Sequence, residues 1–363
     1  MDPSHLISAL VPTPDSIPVH WGWLHFFFIL TFVLHLLFMN AMLGTGIIAL
    51  VKSLKGKRQD LSVAKEISLK LPYTIAFTIN VGVAPLLFIQ VLYGNFIYTS
   101  SVLMGWYWLS IIWILIIAYY SAYLFDFKFD NLGSTRSIFI AVCVILMLLT
   151  AFLFTNNITL MLTPEKWTRY FSNAGGTILN LSEPTLIPRY LHFVCASIAV
   201  GGLFLAIVGK IKAKIKTGKG NGNFEEMISS GMKWFSYATL VQIIIGFWFA
   251  ISLPNDIILL FLGGSSFATL LFFSGLTGAG AALFFGFIKR VWPSAGAVIF
   301  TVVVMVLMRD MVRTAYLNPY FTLSDLKVEP QYSPMIIFIV TLIAGIGLIG
   351  YMLKLATKRK KEA

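Results

Sequence analysis

The sequence predicts an all-α membrane protein, a polytopic helical bundle of about nine transmembrane helices. Hydrophobic residues make up 58% of the 363 residues and charged residues only 12%, whereas a soluble domain carries about 25% charged residues. Long apolar runs recur along the chain, and in a bilayer such runs satisfy their backbone polar groups only as helices. The expected spans cover residues 21–51, 71–98, 103–125, 137–161, 188–209, 233–253, 257–288, 292–316 and 334–355.

Lysine and arginine are concentrated in alternate loops, which sets the expected orientation. Loops 52–70 and 210–232 and the C-terminal tail are rich in lysine, whereas the connections on the other side carry few basic groups. Because short basic loops stay in the cytoplasm, the N-terminus is expected outside and the C-terminus in the cytoplasm. The net charge of +12 is therefore an orientation signal, and no nucleic-acid partner is expected. The KTGKGNGN run in 210–232 predicts a flexible connection.

The spans are expected to form a single transmembrane domain over residues 1–363. Residues 1–161 would make a first four-helix unit and residues 188–316 a second, followed by the last span at 334–355. Two long connections, 162–187 and 317–333, mix aromatic and polar side chains on the expected outer side. They are predicted either to anchor at the interface or to cover a site or a docking surface. The sequence suggests no internal repeat.

Histidines are the first candidates for a function. His35 lies deep in the first span among apolar neighbours. An ionisable group at that depth is costly and usually functional, and a neutral imidazole without an acidic partner suits haem iron. The alternative for His35 is a hydrogen bond to a neighbouring helix. His25 and His192 are expected at similar depth in the outer leaflet, which is compatible with two axial ligands on one haem.

The eighth span adds a possible ligand and two cations. Met308 belongs to a methionine stripe, a pattern that fills cores more often than it binds a metal. Arg309 and Arg313 either form an ion network at headgroup level or hold haem propionates or a quinone headgroup, since arginine matches carboxylates bidentately. Arg189, three residues before His192, could act in the same way. No acidic residue lies in the middle of a predicted span, which argues against proton pumping, ion-coupled transport and oxygen reduction.

The segments around the deep histidines resemble the catalytic subunit (subunit I) of cytochrome bd quinol oxidases, nine-span proteins with an external N-terminus. LIPRYLHFVCASIAVGGLFLA is similar to the span that carries the low-spin haem b histidine of that family, which maps to His192. FVLHLLFMNAMLGTGII is similar to the first span, whose histidine ligates the oxygen-binding haem and maps to His35. TINVGVAPLLFIQVLYGNF resembles the second span. The resemblance implies one to three haems b, a quinone as a further ligand, a second membrane subunit, and the cytoplasmic (inner) membrane of a prokaryote.

Three features of that family are missing from the sequence. The third span has no glutamate for proton delivery, residues 257–288 contain no methionine for the low-spin haem, and only about PNDI stands in place of the long quinol loop. His25 or Met308 is then the expected second ligand at His192. We therefore expect a haem-b electron-transfer subunit, an oxidoreductase if it is an enzyme, between the quinone pool and an external cytochrome or iron–sulfur protein. The alternatives are a terminal quinol oxidase subunit and a cofactor-free transporter or scaffold, for which the GGSS run at 263–266 is the only hint.

Overall fold

The computed structural model describes residues 9–215 and 222–362. Within these residues, nine helices are long and apolar enough to cross a membrane, which confirms the predicted fold class. The side of the bundle at which α1 begins is called the N-side below. The helices are α1 (Trp21–Lys55), α2 (Leu71–Leu92), α3 (Gly105–Phe127), α4 (Arg136–Met161), α5 (Leu186–Ile215), α6 (Gly222–Ile251), α7 (Ser266–Phe287), α8 (Val291–Leu317) and α9 (Tyr332–Glu362).

The first two helices end at places that the hydrophobic pattern does not give. α1 continues to Lys55 because Gly56 takes the left-handed conformation, with φ 65°, and caps the helix. The second span was expected to reach residue 98, but α2 stops at Leu92 and the backbone turns at Tyr93. A separate helix, Gly94–Leu103, then leads to α3. Apolar residues continue through this turn, so hydropathy alone does not reveal it.

The sixth and seventh spans also differ from the prediction. Helix replaces most of the flexible connection expected over 210–232, and residues 216–221 lie outside the described residues. The expected span 257–288 is divided: a short helix, Asn255–Leu259, is followed by a break at Leu260–Gly264. Gly263 has φ 117° there, a conformation that side-chain-bearing residues rarely adopt. The break coincides with the GGSS run.

The first eight helices pack as two closed groups of four. α1, α2, α3 and α4 contact one another in a ring, and α5, α6, α7 and α8 form a second ring in the same order. The two groups meet mainly through α1 and α5. α9 stands at the edge, where the Phe338 ring lies against the rings of Phe27 and Phe88.

Glycines allow α1 and α5 to touch backbone to backbone. A Cβ atom at Gly44 would lie 1.7 Å from the carbonyl oxygen of Ser197, and one at Gly201 would lie 2.4 Å from the carbonyl carbon of Gly44. The Ser197 hydroxyl donates to the Asn40 side chain at 2.8 Å, across 157 residues of sequence. Gly44 and Gly201 are separated by the same 157 residues. The two helices are therefore parallel and in register, with small residues at the crossing as membrane helices require for close approach.

The two long connections fold onto the N-side end of the bundle. Trp167 is buried, and its indole N–H donates to the Leu160 carbonyl at 2.8 Å. The backbone N–H of Asn180 donates to the Asn156 side chain at 3.0 Å. In the second connection, Lys327 and Glu329 pair with the backbone of Ile17. These segments therefore form a folded cap in addition to any anchoring role.

Candidate functional site

His35 and His192 lie level with each other on the two parallel helices, because 192 and 35 also differ by the 157 residues that separate Asn40 from Ser197. His25 lies ten residues before His35 on α1, about 15 Å nearer the N-side at 1.5 Å per residue. His25 was expected at the depth of His192. The register of α1 against α5 places His35 at the depth of His192 instead. That register depends on a contact between two helices, which cannot be read from the sequence.

His35 is held by α2. Its ring lies against Gly82, where an added Cβ atom would be only 2.7 Å from Cε1. Nδ1 is 3.2 Å from the carbonyl oxygen of Thr78, and because a carbonyl can only accept, Nδ1 carries the proton. The lone pair is then on Nε2. The alternative expected for His35, a hydrogen bond to a neighbouring helix, is therefore present; a bond of the same kind also orients metal-binding histidines.

His192 is held in the same way by α6. A Cβ atom at Gly246 would lie 3.1 Å from Cε1 of the imidazole, and the Phe249 ring lies beside it with centroids 6.4 Å apart. The backbone carbonyl of Gln242, four residues before Gly246 as Thr78 is before Gly82, lies at the ring as a hydrogen-bond partner, although Nδ1 makes no bond of full hydrogen-bond geometry within the described residues. A carbonyl of the following helix therefore orients each of the two imidazoles, and the other ring nitrogen of each remains available to a ligand.

Two arginines lie one helical turn from the histidines, toward the N-side. Arg189 precedes His192 by three residues, and its guanidinium carbon is 4.9 Å from the centre of the Phe249 ring. The guanidinium of Arg309 lies 4.4 Å from the centre of the Phe32 ring, and Phe32 precedes His35 by three residues. The two cations are close enough to repel each other electrostatically. Arg189 and Arg309 together are called the arginine layer, and they lie on the N-side of the two imidazoles.

Asp310 joins His25 to Arg313 nearer the N-side. Nε2 of His25 is 2.9 Å from one carboxylate oxygen of Asp310, and the other oxygen accepts from Arg313. The Arg313 guanidinium also lies over the rings of Phe28 and Tyr93, 4.7 and 4.6 Å from their centres. Both alternatives considered for the arginines therefore have support: Arg313 belongs to an ion network, whereas Arg189 and Arg309 stand apart from it.

The charges of this region do not balance. Three guanidinium groups, Arg189, Arg309 and Arg313, face one carboxylate, Asp310, which leaves an excess of two positive charges. Glu183 in the cap interacts with Arg189 but is paired with Lys166 at 2.6 Å. Nε of Arg189 and Nε of Arg313 have no hydrogen-bond partner in the described part of the chain. Because buried uncompensated charge is costly, the region favours an anionic ligand.

Met308 lies on α8 in the same neighbourhood. It is half-buried and packs against the apolar cluster that also includes Phe249, the ring beside His192. Its sulfur lies 3.5 Å from the position of a Cβ atom at Gly275 of α7. The structure thus places Met308 near the His192 region without a direct contact between the two side chains.

Residues 9–215 and 222–362 contain no group of three or more histidine, cysteine, aspartate or glutamate side chains that could hold a metal ion. A small cavity lined by Thr45, Glu66 and Lys70 lies away from the histidines, as does a groove lined by Ser16 and Glu329. Isolated imidazoles suit a prosthetic group that brings its other iron ligands with it.

Four contributors to this region were not predicted: Gly82, Gly246, Phe249 and Asp310 as the partner of His25. Their contacts depend on which helices are neighbours, so the sequence alone gives no signal for them. One feature that relates the two histidines is visible in the sequence. His35 and His192 each precede a glycine by nine residues, Gly44 and Gly201.

No protein-family model matches this chain, and no curated protein matches it. What the region binds is therefore inferred from its own geometry and charge.

Proposed function

We propose that the protein is a membrane cytochrome b that binds haem b at His192 and His35 and transfers electrons. The observation that carries this proposal is the excess of two positive charges one turn above two level imidazoles, each oriented by a backbone carbonyl and with one ring nitrogen available. Haem b has an iron that imidazole nitrogen ligates and two propionates that guanidinium groups pair with well. One group would therefore use both an available imidazole nitrogen and the unbalanced charge.

Different residues would bind different parts of such a group. His192 and His35 each offer the ring nitrogen that does not face a backbone carbonyl, which at His35 is Nε2 because the Thr78 carbonyl accepts from Nδ1. Arg189 and Arg309 are placed to pair with propionates. His25 is engaged by Asp310, which leaves Met308 as the stronger candidate for a second ligand at His192. Phe249 lies beside the imidazole, and its ring would have to turn aside for a macrocycle.

The haem supplies one-electron chemistry, and the polypeptide supplies ligands, a dry surrounding and the local charge that tunes the reduction potential. Positive charge near the iron favours the reduced state, because reduction removes one positive charge from the centre. The arginine layer therefore should raise the potential. Electrons would pass between membrane quinone and a cytochrome or iron–sulfur protein at the N-side, where the cap lies. A further membrane subunit would accompany this chain in a prokaryotic inner membrane.

The test is a pyridine haemochrome assay on the detergent-purified protein, combined with a dithionite-reduced minus oxidised spectrum. About one haem b per chain or more is expected, with the sharp bands of a low-spin b-type centre. A preparation that folds, as judged by its helical circular dichroism, yet binds less than about 0.3 haem per chain after expression with excess haem would refute the proposal. A colourless folded protein would favour the transporter or scaffold alternative.

A further inference from the structure

An exposed amide lies near the middle of α2. Asn80 is nine residues after the start of the helix and twelve before its end. Its Nδ2 donates to the Ala76 carbonyl at 2.8 Å, and the side chain is exposed. Oδ1 makes no hydrogen bond within the described residues. An amide with an open acceptor at the centre of the hydrocarbon is unfavourable, so another molecule should reach it there.

Asn80 lies in an apolar stripe along α2. Tyr73, Phe77, Leu87 and Val91 are 68%, 57%, 55% and 42% exposed, and with Asn80 and Ala84 they recur at alternating intervals of four and three residues. That spacing is the seam of a left-handed helix pair. It extends for about 27 Å at 1.5 Å per residue, close to the thickness of the hydrocarbon layer.

No other described helix of this chain covers the stripe. Phe338 of α9 contacts Phe88 of α2 beside the stripe, and Asn80 stays exposed. The stripe carries no charged residue, so a partner does not need an opposite charge to bind it. Its one polar group is an amide, which has both a donor and an acceptor and is therefore complementary to itself.

We propose that this stripe is the contact between two copies of the chain, related by a twofold axis along the membrane normal. Such an axis places the two Asn80 side chains at the same depth, so each amide can donate to the carbonyl oxygen of the other. The apolar residues of the two stripes would interdigitate on either side. A single polar residue in an apolar seam fixes register, and amide pairs are known to join membrane helices. This inference does not depend on haem.

Cysteine cross-linking in native membranes tests the contact. The chain has two cysteines, Cys143 and Cys195, which are first replaced by alanine. In that background Asn80→Cys is expected to form a disulfide-linked species of twice the chain mass under mild oxidation. Phe273→Cys is the matched control, because Phe273 is 54% exposed near the middle of α7; it is expected to stay monomeric.

A second measurement uses the wild-type cysteines, so that it does not depend on the altered background. Single-molecule photobleaching in liposomes gives the dimer fraction against protein density. Asn80→Leu is expected to raise the dissociation constant about tenfold, and Phe273→Leu to leave it unchanged. Monomers at all densities would overturn the proposal, as would a cross-link from residue 80 to a different polypeptide.

Discussion

His35 and His192 are 157 residues apart in sequence but level on two parallel helices, each nine residues before the glycine at which those helices touch. Each imidazole also lies against a glycine of the following helix, Gly82 or Gly246. The two four-helix groups thus repeat one local arrangement. His35 and His192 therefore occupy equivalent positions in the two groups. An experiment on one histidine can be compared directly with the same experiment on the other.

Replacement of either deep histidine should remove bound haem. His192→Ala is expected to lose most of the low-spin signal, and His35→Ala to lose a separate component or lower the haem content. His20→Ala is the control, since His20 is exposed and only caps the start of α1. The reduced-minus-oxidised spectrum of each purified variant is the measurement. An unchanged spectrum in His192→Ala would exclude this residue as a ligand.

A methyl group at Gly82 should displace the His35 ring. The added Cβ atom would lie 2.7 Å from Cε1, and overpacking of this kind costs about 1–3 kcal/mol. Gly246→Ala should have a weaker effect, since the corresponding distance is 3.1 Å. Gly280→Ala has open space around it and should be neutral or slightly stabilising, because alanine favours helix. Thermal unfolding in detergent ranks the three variants, and equal melting temperatures would contradict the packing described.

Alanine at the α1–α5 crossing should be more damaging. At Gly201 a Cβ atom would meet the backbone of Gly44 at 2.4 Å, and backbone cannot move aside as a side chain can. The expected cost is about 3 kcal/mol or more, the upper part of the range for overpacking. A large loss of folded yield and a lower melting temperature are the readouts. Tolerance of Gly201→Ala would mean that the two groups do not touch at this point.

Asp310→Asn should destabilise the N-side ion network. The substitution keeps the shape but removes the carboxylate that contacts both His25 and Arg313, and hydrogen bonds to charged groups contribute about 1.5–3 kcal/mol each. Asp256→Asn is the control, because Asp256 is exposed; surface substitutions usually change stability by less than about 0.5 kcal/mol. If chemical denaturation shows the two variants to be equally stable, the network has no structural role.

Oxygen reduction should be slow or absent. The carboxylate nearest the histidines, Asp310, is engaged by His25 and Arg313 near the N-side end of α8, so it is not a free relay from the opposite side. Quinol-dependent oxygen uptake by the purified protein is expected below about 1 per second, the low end of enzyme turnover. Rapid, cyanide-sensitive uptake would instead support the terminal oxidase alternative.

The number and approximate position of the helices could be predicted because apolar length is a local property that hydropathy reports directly. Residues 188–209, for example, lie within α5, and 292–316 lie within α8. The turn at Tyr93 and the break at Gly263 could not be placed from hydropathy, because apolar residues continue across both. These depend on backbone dihedral angles rather than on composition.

The candidate ligands could be named because an imidazole within an apolar run is conspicuous. Their relative depth could not be predicted, since it depends on the Gly44–Gly201 contact between distant segments. The pairing of His25 with Asp310 was missed for the same reason: 285 residues separate them. The orientation across the membrane, the four-helix domain division and the haem itself stay predictions.

α1 and α5 are parallel because the chain crosses the membrane an even number of times between their starting points. Four helices lie between the start of one group and the start of the next, so the chain has returned to its original membrane face when α5 is inserted. An odd number would have inverted the second group, as in transporters built from inverted repeats, and would have placed Asp310 and both arginines at the opposite leaflet from His25. An even count keeps His25 of the first group and Asp310 of the second at the same membrane surface.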